Sequence, residues 1–198
     1  MTARPSIIGI IAWALVGACW LWLFRSSHRR KALMKKLAEE YSGFIRSRFF
    51  LPTLALEPVD LAWSRVFAGE PVLMSIRYEL PLVGLSSLPQ TIFEFETREA
   101  RFGSGGGSYT GIDLLAGRGL FLGGVNLTEK FRKFSLVTPH SARFRLGWKG
   151  PRVWLAVPGL LDSREEVWVR HCTGFMEELA AQVLGAPPGP AIPVNSAA

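Results

Sequence analysis

Residues 7–24, IIGIIAWALVGACWLWLF, carry no charge and no strongly polar side chain. As a helix they span roughly 27 Å, close to the hydrocarbon thickness of a bilayer. The segment reads as a single transmembrane helix after a short external N-terminus, residues 1–6. Val16-Gly17-Ala18-Cys19 also has the small-small-Cys form of a lipoprotein cleavage site. A secretory apolar core normally ends within about 7–15 residues. Here apolar sequence continues past Cys19 as WLWLF and meets a basic flank, so a retained anchor fits better than a cleaved leader.

That flank, RSSHRRKALMKK (25–36), places six Lys/Arg directly after the apolar run, against Arg4 and the amino terminus before it. The asymmetry predicts an N-terminus outside and a soluble domain in the cytoplasm, on a bacterial inner (cytoplasmic) membrane. It also explains the net charge of +7. Residues 25–48 hold eight Lys/Arg against Glu39 and Glu40, whereas residues 49–198 hold 14 Lys/Arg and 14 Asp/Glu. Nucleic-acid binders concentrate such a surplus on the face that meets phosphate, and no such face is evident, so no nucleic-acid partner is expected. The anionic partner expected is the lipid headgroup, met by Arg25, Arg29, Arg30, Lys31, Lys35, Lys36 and the boundary residue Trp22. With only Cys19 and Cys172, one of them in the apolar run, no disulfide framework exists.

Within the apolar segment Trp13 lies near the midplane and shares a helix face with Gly9, Gly17 and Trp20. Glycine between two large rings makes a notch for a partner helix, or for a flat pigment or quinone ring. The plainer alternative is a tryptophan facing lipid. No cofactor is required by the sequence.

The soluble part opens with three-four spacing. Met34, Leu37, Ala38, Tyr41, Phe44, Ile45 and Arg48 predict one face of a basic juxtamembrane helix within 25–50, ended by Leu51-Pro52. The pattern then changes to period two. Val72, Met74, Ile76, Tyr78 and Leu80 alternate with Leu73, Ser75, Arg77 and Glu79, Phe93, Phe95 and Thr97 with Glu94, Glu96 and Arg98, and Ala142, Phe144, Leu146 and Trp148 with Arg143, Arg145 and Gly147. Val153–Val157 is apolar on both faces, as a central strand would be, and Lys149-Gly150-Pro151 reads as a hairpin turn. Weaker strands fall near 61–67 and 132–138. Clean alternation is antiparallel behaviour. A closing helix is marked by a capping box at Ser163-x-x-Glu166 and a stop at Gly185 before Pro187-Pro188. Its buried stripe is Val167, Trp168, Cys172, Phe175, Met176, Leu179, Ala180 and Val183. The uncharged tail 186–198 is expected to be disordered.

Candidate chemistry is sparse. Gly103–Ser108 lacks the following Gly-Lys-Ser/Thr and the strand-to-helix context of a phosphate loop, so a hairpin tip is the better reading. Leu120-Phe121-Leu122, between two glycine pairs, is a possible apolar contact turn for membrane or partner. His28, His140 and His171 have no metal-ligand spacing. Ser135, His140 and Asp113 name a triad only on paper. Glu94 and Glu96 share the polar face of one strand and are expected to be solvated or paired with arginines on neighbouring strands, not to act as an acid/base pair. Asn126-Leu-Thr128 is a glycosylation sequon by form alone.

The order of parts resembles a loose group of uncharacterised bacterial single-span inner-membrane proteins with a β-rich cytoplasmic domain. The likeness rests on Phe134-x-Leu136-x-Thr138-Pro139 followed by Ala142-Arg143, and on Val153–Val157 leading into the last helix. It implies architecture and no activity, and it implies a helix at RFRLGW (143–148) where the alternation predicts a strand. The expectation is an α+β chain: one transmembrane helix (7–24), then a mostly antiparallel domain (51–185) flanked by an N-terminal and a C-terminal amphipathic helix. Its expected role is a non-catalytic accessory or scaffolding subunit of a larger inner-membrane complex, such as a photosynthetic or respiratory assembly, with integral membrane proteins as partners. A lipid- or ligand-sensing domain is the alternative, and an enzyme of unknown type the third; the oligomeric state is left open.

Overall fold

A computed structural model describes residues 7–47, 59–79, 89–98, 102, 106–137, 143–185 and 191–192. The first element, α1 (Ile7–Tyr41), is a single unbroken helix of 35 residues. Its N-terminal half holds no buried residue among those described, and it is long and apolar enough to cross a membrane. Its C-terminal half buries Leu33, Met34 and Leu37 completely in the core of the domain.

This corrects the expected separate helix over 25–50. The helix does not restart after the apolar run, and it stops at Tyr41. Ser42 takes a positive φ of 52°, and at Gly43 any Cβ would lie 2.8 Å from the Ala62 carbonyl oxygen. Only glycine lets the backbone approach that closely, so the chain turns into β1 (Phe44–Ser47). Phe44 and Ile45, which continue the helical spacing in sequence, are strand residues. The predicted stop at Leu51-Pro52 lies outside the described residues.

Next come β2 (Val59–Phe67), β3 (Glu70–Glu79), β4 (Gln90–Glu96) and β5 (Gly107–Thr110). A short helix α2 (Gly111–Leu115), the small hairpin β6 (Phe121–Leu122) and β7 (Val125–Asn126), and α3 (Thr128–Val137) follow. The chain closes with β8 (Arg145–Lys149), β9 (Arg152–Pro158), a 3-10 turn (Ser163–Glu165), α4 (Glu166–Leu184) and β10 (Ala191–Ile192). The main sheet runs β1-β2-β3-β4-β9-β8-β5, antiparallel at every pairing. The result is an α+β fold with an antiparallel sheet behind a long N-terminal helix.

The alternation in sequence corresponds to the two sheet faces. Val72, Met74 and Ile76 of β3, Phe93 and Phe95 of β4, and Leu146 of β8 point into one core. Leu33 and Leu37 of α1 and Val169, Cys172, Met176 and Leu179 of α4 cover it. The apolar run Val153–Val157 belongs to β9, which sits between β4 and β8, and Gly150 (φ 58°) turns the β8–β9 hairpin. RFRLGW is strand from Arg145 on, as its alternation predicts, and not the helix the resemblance implied.

Three further expectations are corrected. Residues 132–137, the described part of the strand expected over 132–138, are helical. Thr128–Val137 is α3, because Phe131 and Phe134, three apart, meet the core together while Leu136 and Val137 remain exposed. The capping box is Asp162/Glu165, one residue earlier than expected. The Asp162 carboxylate accepts from the Arg164 amide at 2.9 Å, and Glu165 accepts from the Asp162 amide at 2.8 Å. The buried stripe accordingly starts at Val169, and Val167 is 78% exposed. In the tail, Ala191 and Ile192 pair with Arg65 and Ser64, using the half of the β2 edge that β1 leaves uncovered.

Candidate functional site

The junction of α1 with the domain gathers buried and ion-paired polar side chains from α1, β3 and the turn before α4. Ser26 and Ser27 are buried, so the domain closes on the helix within one turn of Phe24. Arg30, one turn on, is only 5% exposed. Its guanidinium donates to Ser26 Oγ at 2.7 Å and lies 5.6 Å from the centre of the Tyr78 ring. Desolvation pulls its pKa below the ordinary arginine value, partly offset by Tyr78 and Asp162. The Tyr78 hydroxyl donates to the Leu161 carbonyl at 2.7 Å, and burial raises its pKa. Thr91 ties the same loop down, donating to Gly159 O at 2.8 Å and accepting from Leu161 N at 3.0 Å.

Asp162 is the centre of this junction. Arg29 Nε donates to its Oδ2 at 3.1 Å, and Arg164 donates to both oxygens at 3.2 Å. Burial by itself raises the Asp162 pKa, but the Arg164 amide and guanidinium and the Arg29 charge outweigh it and hold the carboxyl below its usual value. Farther along, Lys36 pairs with Glu166 at 2.9 Å, and Arg170 bridges Glu166 and Glu40. Much of the basic flank is therefore spent on the domain. Arg30 is interior, Arg29 and Lys36 hold α4 and its preceding turn, and Arg25, Lys31 and Lys35 face outward.

The face formed by Trp13, Gly17 and Trp20 is exposed, with nothing within 4 Å of a Cβ at Gly17. Gly9, at its N-terminal end, is half-buried. Trp22 is exposed at the boundary. The proposed contact turn fails as a unit: Leu120 and Leu122 are each 1% exposed and belong to the core, leaving Phe121 alone at the surface. The strand alternation of β6 turns neighbouring residues to opposite sides.

Other candidates dissolve on inspection. Gly103–Gly105 lie outside the described residues; Gly107 opens a strand, and Trp148 packs where its side chain would be. Ser135 donates to the Arg132 carbonyl within α3, and Asp113 caps α2 through Thr110 while pairing with Arg118; His140 lies outside the described residues. Glu94 pairs with Arg77 at 3.0 Å and Glu96 with Arg152 at 3.1 Å, as arginine partners on neighbouring strands. Asn126 is a local cap, accepting from Thr128 N. Among the described residues no cluster of His, Cys, Asp and Glu is placed to hold a metal.

Two features were missed in sequence. One is the Asp162–Arg164 side of the junction, hidden because the capping box was placed one residue late. The other is a groove of about 660 Å³ between α3 and α4. Its floor is a ring array in which Phe134 stacks on Phe175 at 4.1 Å and on His171 at 5.0 Å. Reading 132–138 as a strand put Phe134 on the wrong periodicity and concealed it. Comparison of the chain with family models, with curated proteins and with solved structures gave no match.

Proposed function

We propose that this chain is a membrane-anchored, non-catalytic accessory or scaffolding subunit of a larger inner-membrane complex, its domain on the cytoplasmic side. The observation that carries the reading is the continuity of α1. One rigid helix leaves an exposed apolar half and enters the core of the domain, so a partner bound to the apolar half fixes the domain in position and orientation. Flexible tethers cannot do this. The exposed Trp13, Gly17 and Trp20 face supplies a surface for a second helix, and the basic residues after Phe24 favour the orientation. No nucleophile–base pair among the described residues argues for chemistry.

Gentle detergent extraction at native expression, followed by native electrophoresis and mass spectrometry, tests the role. The expected result is a larger species containing integral membrane proteins; a purely monomeric chain counts against it. Orientation is read by fusing a reporter active only in the periplasm after residue 198, which should stay silent.

A second reading, a membrane-surface domain that senses lipid, is favoured by the convergence of Arg29 and Arg164 beside the helix exit. Binding of anionic vesicles that weakens with salt supports it.

A further inference from the structure

We infer that Arg25 and Arg29 of α1, together with Arg164 of the turn preceding α4, form a binding site for the phosphate of an anionic phospholipid. The inference rests on the reading that the apolar half of α1 spans the membrane.

The first argument is charge. Arg29 and Arg164 meet on one carboxylate, Asp162, and buried Arg30 stands beside them. Three guanidiniums face Asp162 and the capping Glu165, so the cluster keeps a positive surplus after every internal pairing. Among the described residues the terminal amino groups of Arg29 have no hydrogen-bond partner, and neither does one of Arg164's. Asp162 is almost fully buried, while the Arg29 and Arg164 side chains are 31% and 59% exposed. The carboxylate thus holds the two guanidiniums at a fixed spacing, each with N–H groups left over on a side chain that solvent reaches. Planar guanidinium forks match phosphate oxygens, and a carboxylate that fixes two of them lowers the entropy of assembling the site.

The second argument is position. Arg29 is five residues past Phe24, about 7.5 Å along the axis, and the headgroup layer is roughly 5–7 Å thick. Helix side chains slope toward the N-terminus, here toward the bilayer, so the Arg29 head falls within that layer. Arg25, one turn nearer, is exposed on the same face. Arg164 comes from the folded domain, so the site exists only when domain and helix are docked. A basic flank serving topology alone needs no residue from the far side of the fold.

The full chain is reconstituted in nanodiscs of phosphatidylcholine mixed with phosphatidylglycerol, and native mass spectrometry counts the lipids that stay bound on release. Wild type should retain phosphatidylglycerol in preference to phosphatidylcholine. Arg164→Gln should lower that retention about fivefold, the factor matching about 1 kcal/mol per basic residue at an anionic surface; Arg164→Lys, which keeps the charge and loses the fork, should fall between Arg164→Gln and wild type, and Arg152→Gln should keep all of it. Equal retention of both lipids by wild type, or an Arg164→Gln chain that retains as much as wild type, overturns the proposal. So does inorganic phosphate alone raising the unfolding temperature as much as phosphatidylglycerol, since that marks a free-phosphate site. Alkaline carbonate extraction is the separate check on anchoring. Release of wild type sinks the spanning reading, whereas an embedded chain without lipid preference sinks this proposal alone.

Discussion

Tyr41, the last residue of α1, lies flat against Trp63 of β2, with ring centroids 4.9 Å apart and planes within 14°. The helix that begins as an exposed apolar rod therefore ends as part of the domain core. Arg65 extends the contact, its guanidinium over the Tyr41 ring while its Nε donates to Glu177 of α4. One helix, one strand and the closing helix are locked at this point.

Leu37→Ala should accordingly destabilise the domain by about 2–5 kcal/mol, the range for truncating a fully buried leucine. Leu21→Ala, in the exposed half, should change it by less than about 0.5 kcal/mol. Chemical unfolding followed by tryptophan fluorescence in detergent separates them. Equal effects would mean that the two halves of α1 are not distinguished by docking.

How far the sequence foretells this arrangement depends on the kind of signal. Period-two alternation at Val72–Tyr78 and Phe93–Thr97 reports a face buried along the whole strand, so it survives into the structure. The end of α1 does not announce itself, because Tyr41, Phe44 and Ile45 keep helical spacing; the deciding fact is the closeness of Gly43 to Ala62, a contact between segments nearly twenty residues apart. The helix 128–137 is similarly hidden, since Phe134, Leu136 and Thr138 also satisfy a strand pattern and only burial of Phe131 with Phe134 selects the helix. At the junction, the basic flank was legible as charge, but the acids and aromatic ring that receive it come from β3, the 162–165 turn and the start of α4. Pairings across such sequence distances leave no periodic trace.

Gly147 of β8 is required by a ring. A Cβ there would sit 2.4 Å from Trp154 Cε2 on the neighbouring strand. Gly147→Ala should cost about 1–3 kcal/mol, the range for overpacking. The cost should fall sharply in a Trp154→Ala background, giving a positive coupling in a double-mutant cycle. An additive cycle would show that the penalty comes from the backbone and not from the indole.

Cys172 is buried in α4, and desolvation pushes its thiol up to about 12. Thiolate is the reactive form, so both the missing charge and the missing access protect it. In a Cys19→Ser chain at pH 8, maleimide should label nothing until denaturant is added, then one equivalent. Labelling of the folded chain would indicate that α4 opens locally far more often than its packing implies.

Glu94 stands on the outer face of β4, 8% exposed, between Arg77 and Arg152. Burial raises its pKa above 4.5, and the two arginines offset this only in part. The folded state therefore takes up the proton more readily than the unfolded chain. Below pH 4.5 the group is protonated in both states, and stability is lost as pH rises through the folded value. Glu94→Gln removes that titration. Its unfolding temperature relative to wild type should move in the variant's favour as pH rises from below 4.5 through the raised folded value, then level off. A difference that stays constant, or that moves toward wild type, would mean that the Arg77 and Arg152 pairings outweigh the desolvation of the carboxylate.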